Sequence, residues 1–289
     1  MPYRELLQLS AAKRGFTLTP DAAPAVGPAG RAAELARNLS AVLLEPLRPH
    51  LGEVQHLLLV PNGPLHRLPF AALPWDGGFL IQRFRLSTLS SASLLTALPP
   101  ATSATVPHLV ALADATPDAP LPEAAAEAQA IAQHFSKPDI YLHDQARRDR
   151  LLGQDLSGRI LHLAVHGQAS TPDRTRLRLS DGDLTYSDVT GLRLDAAPLV
   201  VLSACETGLG IQLSGDEVVS LANGFISAGA RAVVSSLWPV PDPETKQLMQ
   251  TFYDHRLEGH AAALAAAQRT LIAQSRDPYY WAGFVVGGW

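Results

Sequence analysis

The chain has 289 residues, of which 47% are hydrophobic and 17% charged, so it can bury a substantial core and wholesale disorder is excluded. Its net charge of −4 argues against a nucleic-acid-binding protein, because phosphate binding needs a basic surface. A single cysteine excludes an internal disulfide, and no apolar run approaches the roughly 20 residues of a membrane-spanning helix. Since the N-terminus lacks a signal-peptide pattern, we expect a soluble cytoplasmic protein that binds neither membrane nor nucleic acid directly.

The first third of the chain mixes loop and α/β patterns. Residues 1–30 include a stretch rich in Pro, Ala and Gly, and are interpreted as an N-terminal extension or linker. The predicted elements that follow are a helix at 31–51, a strand at 54–60, one or two strands at 79–89 and a short helix at 90–98. The Pro-rich segment 99–107 is the predicted domain boundary.

After this boundary, apolar strands alternate with helices. Strands are predicted at 108–113, 140–142, 159–165, 199–204, 231–237 and 280–286, the last as an edge strand, with a hairpin at 177–184. Helices are predicted at 122–135, 146–152, 217–228, 243–258 and 260–274. Strands that are apolar throughout are buried on both faces, which is typical of a parallel sheet between helix layers. We therefore predict a three-layer α/β/α domain over residues 106–289.

Chemically active side chains directly follow three of the apolar strands. These are His166 with Gly167, then Cys205, then Trp238 with Asp242 four residues later. In open parallel sheets, sites form beyond the carboxyl ends of the strands, so the thiol and the imidazole meet at one crevice if their strands are neighbours. A thiolate is a strong nucleophile and imidazole titrates near neutral pH, so the two fit a nucleophile and its acid/base partner. Gly167 leaves room for a substrate carbonyl beside backbone N–H groups.

Each of these residues also has a purely structural interpretation. A single cysteine is usually a small buried hydrophobe, and an isolated histidine such as His166 is usually structural. Trp238 fits a core residue that covers the end of the sheet. Asp242 and Asp216 each stand at the start of a predicted helix, where a helix cap is as good an explanation as substrate binding.

A metal site is excluded on spacing. His162 and His166 are four residues apart on a predicted strand, which separates them by roughly 13 Å, too far to share one ion. His162 is therefore expected to lie in the core or behind the site. The Asp181-Gly182-Asp183 segment fits a hairpin turn, since the EF-hand pattern is absent. We expect no metal and no cofactor.

Several motifs resemble those of a known family, and they occur in order along most of the chain. They are VPNGPLHRLPFAAL (60–73), ILHLAVHG (160–167), LVVLSACETGLG (199–210), GDEVVSLANGFISAGARAVVSSLWPVPD (215–242) and YYWAGFVVGG (279–288). The chain thus resembles the CHAT family, caspase-like peptidases related to separase and often fused to TPR repeats. The resemblance implies a caspase-like sandwich, with 31–105 as a divergent, pseudo-peptidase-like N-terminal half and 106–289 as the catalytic half.

The resemblance also implies roles for individual residues. His166 and Cys205 would be the catalytic dyad, and the N–H groups of Gly167 and Cys205 would form the oxyanion hole. The loop that begins at Trp238 would line the specificity pocket, where Trp238 shapes an apolar subsite and Asp242 selects a basic side chain.

Two further acidic residues, Glu206 and Asp216, are candidates for substrate binding. The predicted function is that of a cysteine endopeptidase that cleaves a protein substrate through an acyl-enzyme. Kinship alone suggests a bacterial effector that a sensor protein activates, as in antiviral defence. Two alternatives stay open: a catalytically silent, peptidase-like scaffold, and another acyl transfer such as ester hydrolysis. No TPR array is visible in the sequence, so the regulator is unspecified.

Overall fold

The computed structural model describes residues 26–92, 108–168, 175–195, 197–203, 211–212 and 218–288. The helices are α1 (Val26–Leu43), α2 (Leu80–Arg83), α3 (Pro122–Ala132), α4 (Tyr186–Thr190), α5 (Leu221–Ser227), α6 (Asp242–Asp254) and α7 (His260–Ala273). The strands are β1 (His56–Leu59), β2 (Pro74–Trp75), β3 (Gly78–Phe79), β4 (Arg85–Thr88), β5 (Leu109–Ala113), β6 (Asp139–Leu142), β7 (Ile160–Ala164), β8 (Gly167–Gln168), β9 (Arg176–Leu179), β10 (Gly182–Thr185), β11 (Leu199–Leu202), β12 (Ile211–Gln212), β13 (Val218–Val219), β14 (Ala232–Ser236) and β15 (Phe284–Gly288).

Eight strands form one central sheet in the order β1-β4-β15-β14-β11-β7-β5-β6. The five strands from β14 to β6 run parallel, and so do the three from β1 to β15. The direction changes once, between β14 and β15, which pair antiparallel. The prediction of a mostly parallel sheet is therefore confirmed. The sheet is continuous across the N-terminal and C-terminal halves of the chain.

The central strands are buried on both faces, as their apolar sequences predict. One face packs against α1, α2, α3, α6 and α7, and the other against α4, α5 and the β9–β10 hairpin. All residues of β5, β7, β11 and β14 are buried. The three-layer arrangement is therefore confirmed. Within the described ranges, no helix is both long enough and apolar enough to span a membrane.

The last strand, predicted as an edge strand, is an interior strand of the sheet. β15 lies between β14 and β4, and Thr88 Oγ1 donates to the carbonyl of Val286 over 3.0 Å. The prediction was wrong because the partner, β4, lies about 200 positions earlier in the chain, and no local pattern encodes so distant a pairing.

Three helix predictions also need correction. The first helix begins at Val26, inside the expected linker, because a Pro in the first turn costs no hydrogen bond. A 3₁₀ turn, Arg148–Arg150, replaces the helix predicted at 146–152, because the Arg148 N–H donates to Asp181 Oδ1 from a distant turn. The helix predicted from 217 begins at Leu221, where the Ser220 hydroxyl caps it by accepting from Asn223 N–H over 3.1 Å.

Candidate active site

The carboxyl ends of β5, β7, β11 and β14 meet at one edge of the sheet. The register aligns Ala113 with Ala164 and Leu202 with Leu163, so neighbouring strands end at nearly the same level. β7 and β11 are direct neighbours in the sheet. This adjacency is what the sequence analysis required for His166 and Cys205 to meet at one crevice. The segments that follow these four strands therefore begin at this edge, including the loop 114–121 that follows β5.

His166 is half-buried and lies two residues beyond the end of β7. Its Nε2 is 2.8 Å from the carbonyl oxygen of Ala119. Because a carbonyl can only accept, Nε2 carries the hydrogen, and Nδ1 is the ring nitrogen that can take up a proton. The His166 carbonyl in turn accepts from the Arg178 N–H of β9 over 2.8 Å. Ring and backbone are thus both held in place.

Gly167 directly follows His166 and opens the short strand β8. It pairs with Leu177 of β9 and is half-buried. The hairpin β9–β10 continues this small antiparallel sheet, so the predicted hairpin at 177–184 is confirmed.

Trp238 lies two residues beyond β14, and its ring is anchored from several sides. Its Nε1–H donates to the carbonyl of Tyr279 over 2.8 Å, and its ring stacks on that of Tyr279 at 6.4 Å between centroids. A Cβ atom at Gly283 would come within 2.9 Å of Trp238 Cε2. The indole is half-buried and packs against the main core.

Asp242 is the first residue of α6, whose N-cap is Pro241. The carboxyl therefore is not the cap of this helix. Burial raises the pKa of Asp242 above its ordinary value, and the charge of Glu127 raises it further, whereas His166 acts in the opposite direction.

The other acidic groups that act on Asp242 each have a nearby partner. Glu123 Oε2 is 2.8 Å from Lys246 Nζ. Glu127 Oε1 is 2.8 Å from His162 Nε2, and Asp114 Oδ2 is 3.1 Å from His143 Nδ1. Within the described ranges, by contrast, no basic side chain forms an ion pair with Asp242.

His162 is fully buried behind the crevice, as expected. It lies on β7, on the face that packs against α3 and α6. Its Nδ1 is 3.2 Å from the hydroxyl of Tyr253, and burial raises the pKa of that hydroxyl well above its ordinary value. His162, Glu127 and Tyr253 therefore form a buried polar cluster in the layer between sheet and helices.

Three predicted site residues, Cys205, Glu206 and Asp216, lie outside the described residues. The chain is described up to Ser203, one residue after β11 ends, and again at β12 and β13, which pair with each other. The dyad, the oxyanion hole and the substrate-binding roles therefore stay predictions.

Sequence reasoning missed the loop 114–121. Its Ala119 carbonyl holds His166, yet a backbone carbonyl leaves no signature in the sequence. One signal was present: Asp114 and Thr116 follow an apolar strand, as His166 and Cys205 do.

Comparison with known proteins shows which group the chain resembles. Residues 33–288 match the family model described as the CHAT domain. Human tetratricopeptide repeat protein 28 is 26% identical over 82% of this chain, which spans only 12% of that relative's length.

Two solved structures share the fold. Separase in the Saccharomyces cerevisiae separase–securin complex has a TM-score of 0.58 and 15% identity, covering 81% of this chain and 15% of that one. The Arg-specific cysteine proteinase gingipain R has a TM-score of 0.54 and 12% identity, covering 91% of this chain and 68% of that one. The chain therefore has a caspase-like, cysteine-peptidase-like fold.

Proposed function

Because the chain belongs to the CHAT-domain family, we propose that it is a cysteine endopeptidase with Cys205 as nucleophile and His166 as acid/base. The observation that carries this proposal is the fixed imidazole of His166, with Nε2 held by Ala119, beside the strand that leads to the only cysteine. Cys205 follows the last residue of β11 by three positions.

The proposed reaction needs only these two side chains, the backbone and water. The Cys205 thiol transfers its proton to Nδ1 of His166, and the thiolate attacks the carbonyl carbon of the peptide bond. The N–H groups of Gly167 and Cys205 stabilise the resulting oxyanion. Nδ1–H then protonates the leaving amine as the C–N bond breaks, which leaves a thioester. Water gives a proton to Nδ1 and attacks the thioester, and the thiol regains that proton as the C–S bond breaks.

We assign recognition of the substrate to the loop after β14. The half-buried Trp238 ring supplies an apolar wall. Asp242 supplies a carboxylate without a described basic partner, among acidic neighbours that each have one. A Lys or Arg side chain in the substrate would complete this set, since an opposite charge offsets the cost of burying the carboxylate. Glu206 and Asp216 are proposed as further contacts with the substrate.

Two structural neighbours shape the choice of test. Gingipain R is described as Arg-specific, so arginine is the first side chain to test before the scissile bond. Separase is seen with securin, and the curated relative carries tetratricopeptide repeats, which supports control by a protein partner. We propose a regulated bacterial effector in the cytoplasm, in defence or signalling, whose substrate is a protein.

The test is a peptide library with cleavage sites read by mass spectrometry. We expect cleavage after Arg or Lys by the wild type, none by Cys205→Ala and only a small residual rate by His166→Ala, with unchanged circular dichroism in both variants. Asp242→Asn, which keeps the side-chain size, should lose the preference for basic residues. Cleavage that survives in Cys205→Ala would refute the assignment of the nucleophile.

A second assay separates the proposal from its alternatives. A peptidyl electrophile should label the wild type at Cys205 and label His166→Ala much more slowly at the same pH. Absence of both labelling and cleavage would favour the scaffold. Turnover of esters without turnover of peptides would favour another acyl transfer.

A further inference from the structure

We propose that Thr116 and Asp114 are positioning residues, which hold the Ala119 carbonyl where it fixes the His166 ring. The inference rests on the proposed role of His166 as acid/base. It assigns a task to the loop 114–121, whose contribution to the site comes from its backbone.

Thr116 holds the carbonyl directly. Its hydroxyl donates to the Ala119 carbonyl oxygen over 2.9 Å, and the Ala119 N–H donates to the Thr116 carbonyl over 3.1 Å. Residues 116–119 thus form a turn closed by two hydrogen bonds. The Ala119 oxygen accepts from Thr116 Oγ1 and from His166 Nε2 at once, so it uses both of its lone pairs. Thr116 is only 5% exposed, so little water can replace its hydroxyl.

Asp114 joins the two ends of the loop 114–121 through hydrogen bonds. Its Oδ1 accepts from the Leu121 N–H over 2.6 Å, and its own N–H donates to the Ala164 carbonyl at the end of β7. Its backbone has φ +50°, a left-handed conformation that Asp and Asn adopt more readily than most residues. His143 Nδ1 lies 3.1 Å from the second carboxylate oxygen of Asp114. Asp114 therefore ties both ends of the loop to each other and to the strand that carries His166.

A third contact joins the loop to the far side of His166. Asp118 lies 3.3 Å from Arg178, whose backbone N–H also binds the His166 carbonyl. Both groups of this ion pair are exposed, so it contributes little energy compared with the buried contacts of Thr116 and Asp114. The loop is thus fixed mainly by the two buried side chains, and through Ala119 it selects one tautomer and one orientation of the imidazole.

The test compares Thr116→Val with Thr116→Ser. Valine keeps the volume but removes the hydroxyl, whereas serine keeps the hydroxyl. We expect kcat to fall about fivefold in Thr116→Val with KM unchanged, as for the loss of one hydrogen bond, and to stay within about twofold in Thr116→Ser. In a His166→Ala background, Thr116→Val should have no further effect on the residual rate.

A second readout does not require catalysis. Ring nitrogen chemical shifts of His166, assigned by comparison with His166→Ala, should show the Nε2–H tautomer in wild type and Thr116→Ser, and a mixture in Thr116→Val. If Thr116→Val fails to fold, Thr116→Ala removes the same hydroxyl without added branching. If the wild type cleaves no peptide, the proposed function fails, and the tautomer alone decides the positioning role.

Two results would overturn the inference. One is an unchanged His166 tautomer together with unchanged kcat in the variants that lack the hydroxyl. The other is an equal loss of rate with and without the His166 imidazole, which would show that Thr116 acts only through general stability.

Discussion

The buried pair formed by Glu127 and His162 should be essential to stability, and a surface pair on the same helix provides its control. Glu127 and His162 are 2% and 0% exposed, and Glu127 Oε1 lies 2.8 Å from His162 Nε2, a close contact whose geometry is not that of a hydrogen bond. Removing either side chain leaves the other polar group without its partner at a buried position that solvent does not reach. Such a change typically costs about 3–5 kcal/mol, a large part of the total stability of a protein.

The control pair differs in burial and not in distance. Glu123 stands one turn before Glu127 on α3, and its carboxylate is also 2.8 Å from its partner, Lys246, but the two side chains are 40% and 30% exposed. Exposed pairs of this kind contribute about 0–1 kcal/mol. We therefore expect Glu127→Gln to lower the free energy of unfolding by several kcal/mol more than Glu123→Gln does.

The assay is urea unfolding followed by circular dichroism at pH 7. At about 2 °C per kcal/mol for a chain of this size, Glu127→Gln should also lower Tm by about 6–10 °C. Replacing both partners, as in Glu127→Leu with His162→Leu, should cost less than the sum of the single changes, because neither an unpaired imidazole nor an unpaired carboxylate remains, although the Tyr253 hydroxyl still loses its contact with His162. Equal costs for Glu127→Gln and Glu123→Gln, or strict additivity in the double variant, would refute the reasoning.

Two further predictions concern Asp242 and Trp238. The folded-state pKa of Asp242 is raised, so its favourable contribution is complete below the ordinary carboxyl value of 3.8 and is lost as pH rises through the folded-state pKa. Asp242→Asn should therefore melt higher than the wild type at neutral pH, with the difference vanishing in acid; a constant difference across pH would contradict this. Gly283→Ala would place a methyl group 2.9 Å from the anchored Trp238 ring, so it should cost about 1–3 kcal/mol in urea unfolding and raise KM for peptides, whereas unchanged values would show that the ring is free to move.

The central strands could be predicted because each carries its own signal. A continuous apolar run is buried on both faces wherever it lies, so β5, β7, β11 and β14 appeared within a residue or two of their predicted bounds. The position of β15 could not be predicted, because it depends on pairing with β4 from the other end of the chain. The helix predicted at 146–152 was wrong for a similar reason, because Asp181, which accepts from the N–H of Arg148, belongs to a later hairpin.

The candidate site shows the same difference between features that have a local sequence signal and features that depend on distant parts of the chain. His166, Trp238 and Asp242 could be proposed as site residues because side chains that follow apolar strands are visible in the sequence, and their roles stay predictions. The Ala119 carbonyl was not, because any residue could supply it, and only the path of the loop places it against the imidazole. The sequence can thus suggest a candidate side chain but not the backbone group that orients it.

The acidic residues around the crevice belong to two groups with different tasks. Glu123, Glu127 and Asp114 each have a nearby partner in the protein, so their interactions contribute to the structure whether or not a substrate is bound. Asp242 lacks such a partner among the described residues, and burial raises its pKa. A group whose ionised form is disfavoured in the free protein gains most when a cation binds beside it. Under the role proposed for Asp242, its burial costs stability in the free protein and gives selectivity when a basic side chain binds, so stability and preference should change in opposite directions in Asp242→Asn.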